Sequence, residues 1–244
     1  MRIDQMLTER GLAPSRARAQ ALVMAGLVFA GDKRIDKPGQ QLAADAAIEV
    51  RGRDHHWVGR GGVKLAHALE HWQLDPTGAV AMDIGSSTGG FTQVLLENGA
   101  SHVFAVDVGT NQLDWKLRQD PRITVLEQTN ARDLTDAIIT QGCNWVVCDA
   151  SFIGLAKVLA APLALALPGA QLVALIKPQF EVRREEVGKG GIVRDPALHQ
   201  RVCDEVSAWL VETGWRVNGI TPSPITGSEG NVEFLVSATK GDAA

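Results

Sequence analysis

From residue 80 onward the chain alternates short apolar runs with stretches whose apolar residues recur at helical spacing. Val80–Ile84, Val103–Asp107, Ile123–Leu126, Trp145–Asp149 and Leu172–Ile176 read as strands. Phe91, Val94 and Leu95 follow the first of them on one helical face. Asp195-Pro196 opens a longer helix with Leu198, Val202, Val206, Trp209 and Leu210 inward. This alternation predicts a mostly parallel, doubly wound α/β sheet. Trp215–Ile220 and Val232–Ser237 have no helix between them, so they predict an antiparallel hairpin at the sheet edge and bring the strands to seven. The uncharged stretch Val158–Ile176 resembles a membrane span in length. Pro162, Pro168, Gly169 and Gln171 divide it into a helix, a turn and a buried strand, so it reads as core.

The front of the chain has a different rhythm. Asp4 is placed to cap a short helix through Arg10, and Ser15 to cap a second over Arg16–Ala25, stopped by Gly26. Strand-like pieces follow at Leu27–Ala30 and Ala47–Val50 across the turn-rich 31–41. The pattern divides the chain into a small domain at 1–52, a Gly- and charge-rich linker at 53–62, and a large domain at 63–240 whose first helix spans Val63–Trp72.

Charge sharpens that division. Residues 1–64 hold 11 Lys and Arg against 7 Asp and Glu, while the rest hold 13 against 21, within an overall net charge of −4. A basic front on an acidic body points to a polyanionic partner. Arg10, Arg16, Arg18, Lys33 and Arg34 are the candidates for a phosphate-binding face. Three cysteines without framework spacing suggest a reducing cytoplasm, and the N-terminus lacks the apolar segment of a signal peptide.

The most informative stretch is Val80–Phe91. An apolar run ends at Asp83, turns through Gly85, Ser86, Ser87, Thr88, Gly89 and Gly90, and enters a helix at Phe91. A strand, a Gly-rich turn and a helix N-terminus form a cradle for a nucleotide-like ligand. Asp107 ends the second strand, where it can accept from ribose hydroxyls. The order Gly-x-x-x-Gly-Gly, with an acid on each of the first two strands, suits S-adenosylmethionine better than a dinucleotide. Asp149 and Lys177 end the fourth and fifth strands, on the side where open α/β sheets bind ligands. A lysine directly after five apolar residues is a candidate for chemistry, with an internal salt bridge as the alternative. By pattern alone Lys64 is a first-turn helix lysine and Glu233 a strand residue facing solvent. His67-Ala68-Leu69-Glu70-His71 matches the H-x-x-E-H string of zinc proteases, but no third ligand is apparent and no metal is expected. The segment Phe180–Arg194, with Arg183, Arg184, Lys189 and Arg194, reads as a mobile loop able to close over a polyanion.

Several strings now fall into register. Arg2-x-Asp4-x-x-Leu7 with Arg10-Gly11-Leu12-Ala13-x-Ser15-Arg16-x-x-Ala19 is similar to the α-L RNA-binding domain first seen in a small-subunit ribosomal protein. Arg60–Leu65, Asp83–Thr92, Cys148–Ile153, Ile176–Glu181 and Gly188–Asp195 resemble, in order, the TlyA-type family of ribosomal RNA 2′-O-methyltransferases, also described as hemolysins and related to FtsJ-like enzymes. The resemblance implies a Rossmann-like class I methyltransferase sheet of seven mostly parallel strands with an antiparallel last strand, beside a small N-terminal α/β RNA-binding domain. It implies S-adenosylmethionine as cofactor, with Asp83, Gly85–Phe91, Asp107 and Asp149 around it, and ribosomal RNA or ribosomal subunits as partner. The family's Lys-Asp-Lys-Glu set falls on Lys64, Asp149, Lys177 and Glu233.

A ribose 2′-hydroxyl is a poor nucleophile, so the expected site aligns it and helps it lose a proton. Lys177 would act as a base or as a cation stabilising the alkoxide, with Asp149 orienting it. Two rivals are a non-catalytic RNA-binding assembly factor and a membrane-lytic hemolysin. No basic amphipathic helix or unbroken apolar span in the sequence favours the second.

Overall fold

The computed structural model describes residues 1–13, 15–24, 26–31, 33–43, 46–50, 55–227 and 230–241, and it divides into two compact units, 1–56 and 57–244. In the first unit α1 (Ile3–Glu9) and α2 (Arg16–Met24) pack on a three-stranded antiparallel sheet of order β2-β1-β3, formed by β1 (Val28–Ala30), β2 (Lys33–Arg34) and β3 (Ile48–Val50). Ile3, Leu7, Ala19, Leu22, Val23, Val28 and Ile35 fill its core. The pair Lys33–Arg34 was expected in a turn and instead forms the edge strand. Asp4 does not cap α1. It lies inside the first turn, fully buried, and accepts from Arg2, Arg16 and Gln20 at 2.9–3.0 Å. These contacts hold its carboxyl far below the ordinary range, the Arg2 hydrogen bond contributing most.

The second unit begins with α3 (Gly61–Trp72), two residues earlier than expected. Next come β4 (Val80–Ile84), α4 (Gly90–Glu97), β5 (His102–Val106), α5 (Trp115–Arg118), β6 (Ile123–Leu126) and β7 (Cys143–Cys148). The remainder is α6 (Leu155–Val158), α7 (Ala160–Leu165), β8 (Ala166–Ile176), α8 (Pro178–Glu181), α9 (Pro196–Glu212), β9 (Trp215–Pro222) and β10 (Phe234–Lys240). Seven strands form one sheet of order β6-β5-β4-β7-β8-β10-β9. All neighbours are parallel up to β8, and β10 is antiparallel to both β8 and β9. The expected edge hairpin is present, with its last strand inserted inside β9.

Strand alternation sends successive side chains to opposite faces, and both faces are covered. Met82, Phe104, Val146, Leu172 and Val236 join the cluster under α6, α7 and α9, while Ala81, Val103, Val147, Val173 and Leu235 join the cluster under α3 and α4. The strand order reverses between β4 and β7. Their carboxyl ends therefore diverge into different loops, leaving a crevice where open α/β sheets place ligands. The uncharged 158–176 stretch forms a helix and a strand as expected, but the turn expected at Pro168-Gly169 lies within β8, which starts at Ala166, is exposed over 167–169 and is buried from there on except at Gln171. Among the described residues no helix is long and apolar enough to cross a membrane.

Candidate active site

The crevice holds two adjoining cavities of about 350 and about 400 Å³, whose common wall includes Gly85, Asp149, Ser151 and Phe152. Gly85 is required twice over. Its φ is +78°, and a Cβ would stand 2.8 Å from Ala150 Cα and 2.9 Å from Ala150 N. This close approach brings the turn after β4 against the loop after β7. The next close approach is between helices: a Cβ on Gly90 would lie 2.8 Å from Gly62 N. Glycines at both positions let the starts of α3 and α4 meet backbone to backbone, and so bring Lys64 to the sheet ends.

Four charged side chains converge there. Lys64 Nζ lies 2.7 Å from Glu233 Oε2 and 3.6 Å from Asp149 Oδ2. Lys177 Nζ lies 2.7 Å from Asp149 Oδ1, and donates to Asp149 O at 3.2 Å and Ser151 Oγ at 2.9 Å. The Oδ1 contact is short but off the line of a hydrogen bond, which leaves that oxygen without a hydrogen-bond donor. Lys64, Lys177 and Glu233 are 7%, 6% and 4% exposed. Two cations and two anions in one buried group cancel in charge, which offsets a desolvation cost of several kcal/mol per ion. The internal salt bridge weighed for Lys177 is thus present, and it sits in the wall of a cleft. Glu233 precedes β10 and is buried rather than facing solvent; the interruption at Asn231-Val232 delays the strand and turns the carboxylate inward.

In the second cavity Asp107 accepts the N–H of Ser87 through Oδ2 at 2.8 Å and of Gly109 through Oδ1 at 2.7 Å. Each carboxylate oxygen retains a second lone pair for an incoming hydroxyl. Asp83 lies deeper than expected and lines neither cavity. It is fully buried, Thr92 Oγ1 donates to its Oδ2 at 2.6 Å, and Oδ1 has no partner among the described residues. Burial pushes its carboxyl up to about 7, with Asp149 and Asp107 adding to the rise. Thr92 was missed by sequence reading, although a hydroxyl in the first turn after Gly89-Gly90 was the available signal. Ser86 and Phe91 are buried beneath the turn, and Thr88 and Ser87 are exposed at its tip.

Phe152 was not singled out either. It is 90% exposed at φ +66°, with its ring 5.1 Å from that of Phe180. A bulky residue in the left-handed region stores strain of a kind that gathers at ligand sites.

The basic candidates are less free than the pattern suggested. Arg10 donates to Ala46 O, Arg16 pairs with Asp4 and Arg34 with Asp36, while Lys33 is exposed and the Arg18 side chain lies outside the described residues. The segment 180–194, expected to be a mobile loop, is tied to its surroundings at two places. Arg201 grips both oxygens of Glu186, holding that carboxyl down to about 2. Asn231 accepts from Val193 N at 3.0 Å and donates to Gly191 O at 2.9 Å. Arg183, Arg184, Lys189 and Arg194 remain exposed on this fastened segment.

The pattern of FtsJ-like methyltransferases matches residues 57–240, and that of S4 domains matches 1–48. The chain belongs to the FtsJ-like methyltransferase family. It is 46% identical to the 16S/23S rRNA (cytidine-2′-O)-methyltransferase TlyA of Mycobacterium tuberculosis, over 96% of this chain and 88% of the relative. It is 37% identical to Hemolysin A of Brachyspira hyodysenteriae, over 96% and 98%. Among solved structures, a hemolysin-named protein from Streptococcus thermophilus superposes with a TM-score of 0.79 at 43% identity, covering 100% of this chain and 89% of that one. As an FtsJ-like methyltransferase the chain uses S-adenosylmethionine. The residues present fit that donor: Asp107 keeps acceptor capacity for a ribose, and Asp149, in the wall of both cavities, keeps a carboxylate oxygen without a hydrogen-bond donor.

Proposed function

We propose that this methyltransferase carries the methyl group of S-adenosylmethionine to a ribose 2′-hydroxyl of ribosomal RNA, acting in the cytoplasm. The observation that carries the reading is the buried Lys64–Glu233 and Lys177–Asp149 pairs in the wall of one cleft. The bound donor supplies an activated methyl on a sulfonium. Asp107, the Gly85–Gly90 turn and the loop at Asp149, which line the second cavity, would hold it. Lys177 faces the incoming hydroxyl. Its ammonium is engaged by Asp149 O, Ser151 Oγ and the Asp149 carboxylate, so it is held in one direction and stabilises charge growing on the 2′-oxygen as the hydroxyl proton passes to solvent. Lys64 and Glu233 keep Asp149 in place from the other side. Alignment supplies much of the effect, since held geometry is worth roughly 7–11 kcal/mol. Phe152, exposed on the rim, offers a face on which a base can stack, and Arg183, Arg184 and Lys189 offer charge to phosphates. In the S4 unit Arg10, Arg16, Arg18, Lys33 and Arg34 are read as carrying the remaining RNA contacts.

Single-turnover transfer to ribosomal RNA tests this. Lys177→Ala should lose at least 100-fold in rate with donor affinity within about threefold, since a lost electrostatic contact costs 10²–10³. Lys177→Arg keeps the charge and should exceed the alanine variant. An arginine variant as inactive as alanine would move the role from cation to proton acceptor, and normal transfer by Lys177→Ala would end the assignment.

A further inference from the structure

Three successive contacts join the turn after β8 to the loop after β7, and the outermost has no part in the chemistry above. Lys177 binds Asp149 O and Ser151 Oγ; the Phe180 ring lies 5.1 Å from Phe152; and Glu181 Oε1 accepts the Leu155 N–H at 2.7 Å. Leu155 begins the four-residue α6, and the residue before it, Gly154, has no side chain to cap it. A carboxylate from α8 takes that place. Gly154 has φ −72° and ψ 148°, a backbone open to any residue, yet a Cβ there would stand 2.9 Å from Glu181 Oε2. The missing side chain at 154 therefore makes room for the carboxylate of Glu181 and for nothing else so closely.

We propose that Glu181 is a positioning residue for methyl transfer, holding the Asp149–Gly154 loop in register with Lys177. It rests on the reading of Lys177 and Asp149 as the reacting pair. That loop forms the wall common to both cavities, through Asp149, Ser151 and Phe152. It carries one residue in the left-handed region, Phe152, whose strain persists only while its surroundings hold it. At the β7 end it is fixed by Asp149 N–H to Ile84 O at 3.1 Å. At the α6 end the Glu181 bond to Leu155 fixes it. Release of the second end would let Ser151 and Asp149 drift from Lys177, and displacements near 1 Å cost about 100-fold in rate.

The experiment uses the full chain, ribosomal RNA and S-adenosylmethionine, with Glu181→Ala, Glu181→Gln, Gly154→Ala and the double variant Glu181→Ala/Gly154→Ala. Glu181→Ala and Gly154→Ala should each slow single-turnover transfer by roughly 10- to 100-fold, with donor affinity within a few-fold. The double variant should be no slower than Glu181→Ala, because the new Cβ then meets no carboxylate. Glu181→Gln, whose carbonyl still accepts, should keep most of the rate. In the protein without donor or RNA, Leu155 amide exchange should quicken in Glu181→Ala and Gly154→Ala and stay slow in Glu181→Gln. Multiplicative losses in the double variant, or unchanged exchange at Leu155, overturn the proposal. So does a lowered unfolding midpoint with an unaltered rate, which would make Glu181 a helix cap only. Failure of the wild-type protein to methylate the RNA would instead count against the functional reading, and the exchange measurement would still report on the contact.

Discussion

Replacing Asp83 by asparagine removes a charge whose cost is set by the fold. The side chain is fully buried at the end of β4 and rises to about 7 because burial disfavours the carboxylate, the Thr92 hydrogen bond only partly opposing it. The unfolded reference is 3.8, so between about pH 4 and 7 the folded protein holds a proton that the unfolded chain has released. This contribution is complete below the unfolded value and is lost as pH rises through about 7. Between pH 8 and pH 5 it amounts to about two pK units, or about 3 kcal/mol. Asparagine cannot ionise. Its amide leaves a donor where Oδ1 has no partner, a cost of about 1–3 kcal/mol that does not vary with pH. The difference in unfolding free energy between the wild-type protein and Asp83→Asn should therefore shift by about 3 kcal/mol from pH 5 to pH 8, in favour of the variant at the alkaline end. Urea unfolding followed by the fluorescence of buried Trp145 and Trp215 reads it, and other carboxylates cancel in the difference. Stability curves that stay parallel across this range would refute the reasoning. The same linkage reaches the cofactor. A cationic donor near Asp83 favours its carboxylate, so donor binding near pH 6 should release a proton from the wild-type protein and none from Asp83→Asn, measured calorimetrically in buffers of different ionisation heat.

Gly85→Ala should cost about 2–4 kcal/mol, from left-handed backbone and overlap with Ala150, and should weaken donor binding. Gly169→Ala is the control, with similar φ and open space, and should cost less than half as much by thermal unfolding. Lys64→Ala strands buried Glu233 and should destabilise by about 3–5 kcal/mol; Lys64→Met with Glu233→Gln should recover most of the stability and none of the activity. Asp107→Ala removes the acceptor for Ser87 and Gly109 N–H and should raise the donor dissociation constant at least tenfold by calorimetry, and an unchanged constant would remove Asp107 from the donor site.

Local pattern determined a good deal by itself. The alternating runs set which segments become strands and which faces are buried, because periods of 2.0 and 3.6 are properties of the backbone. The Gly85–Gly90 turn and the acids at 83 and 107 were legible because a strand-to-helix turn favours glycine where φ is positive, as at Gly85 and Gly89, or where two backbones meet, as at Gly90. Asp149 and Lys177 were legible as polar residues directly after apolar runs. Other features needed the folded chain. Glu233 and Lys64 are 169 residues apart; by pattern each looked like a surface residue and only the family resemblance marked it, whereas in the fold α3 closes through Gly62 and Gly90 and β10 inserts between β8 and β9 to bring the two together. Thr92, Phe152 and Glu181 carry no motif that their neighbours lack. Their roles come from a burial depth, a strained φ and a contact across 26 residues. The fastening of 183–194 by Asn231 and Arg201 likewise escaped a reading by composition, because glycine content measures what a loop can do alone and not what holds it. Sequence patterns record which groups a segment must bury; which buried charges meet is decided by long-range packing, where two segments each incomplete in hydrogen bonds or charge satisfy one another.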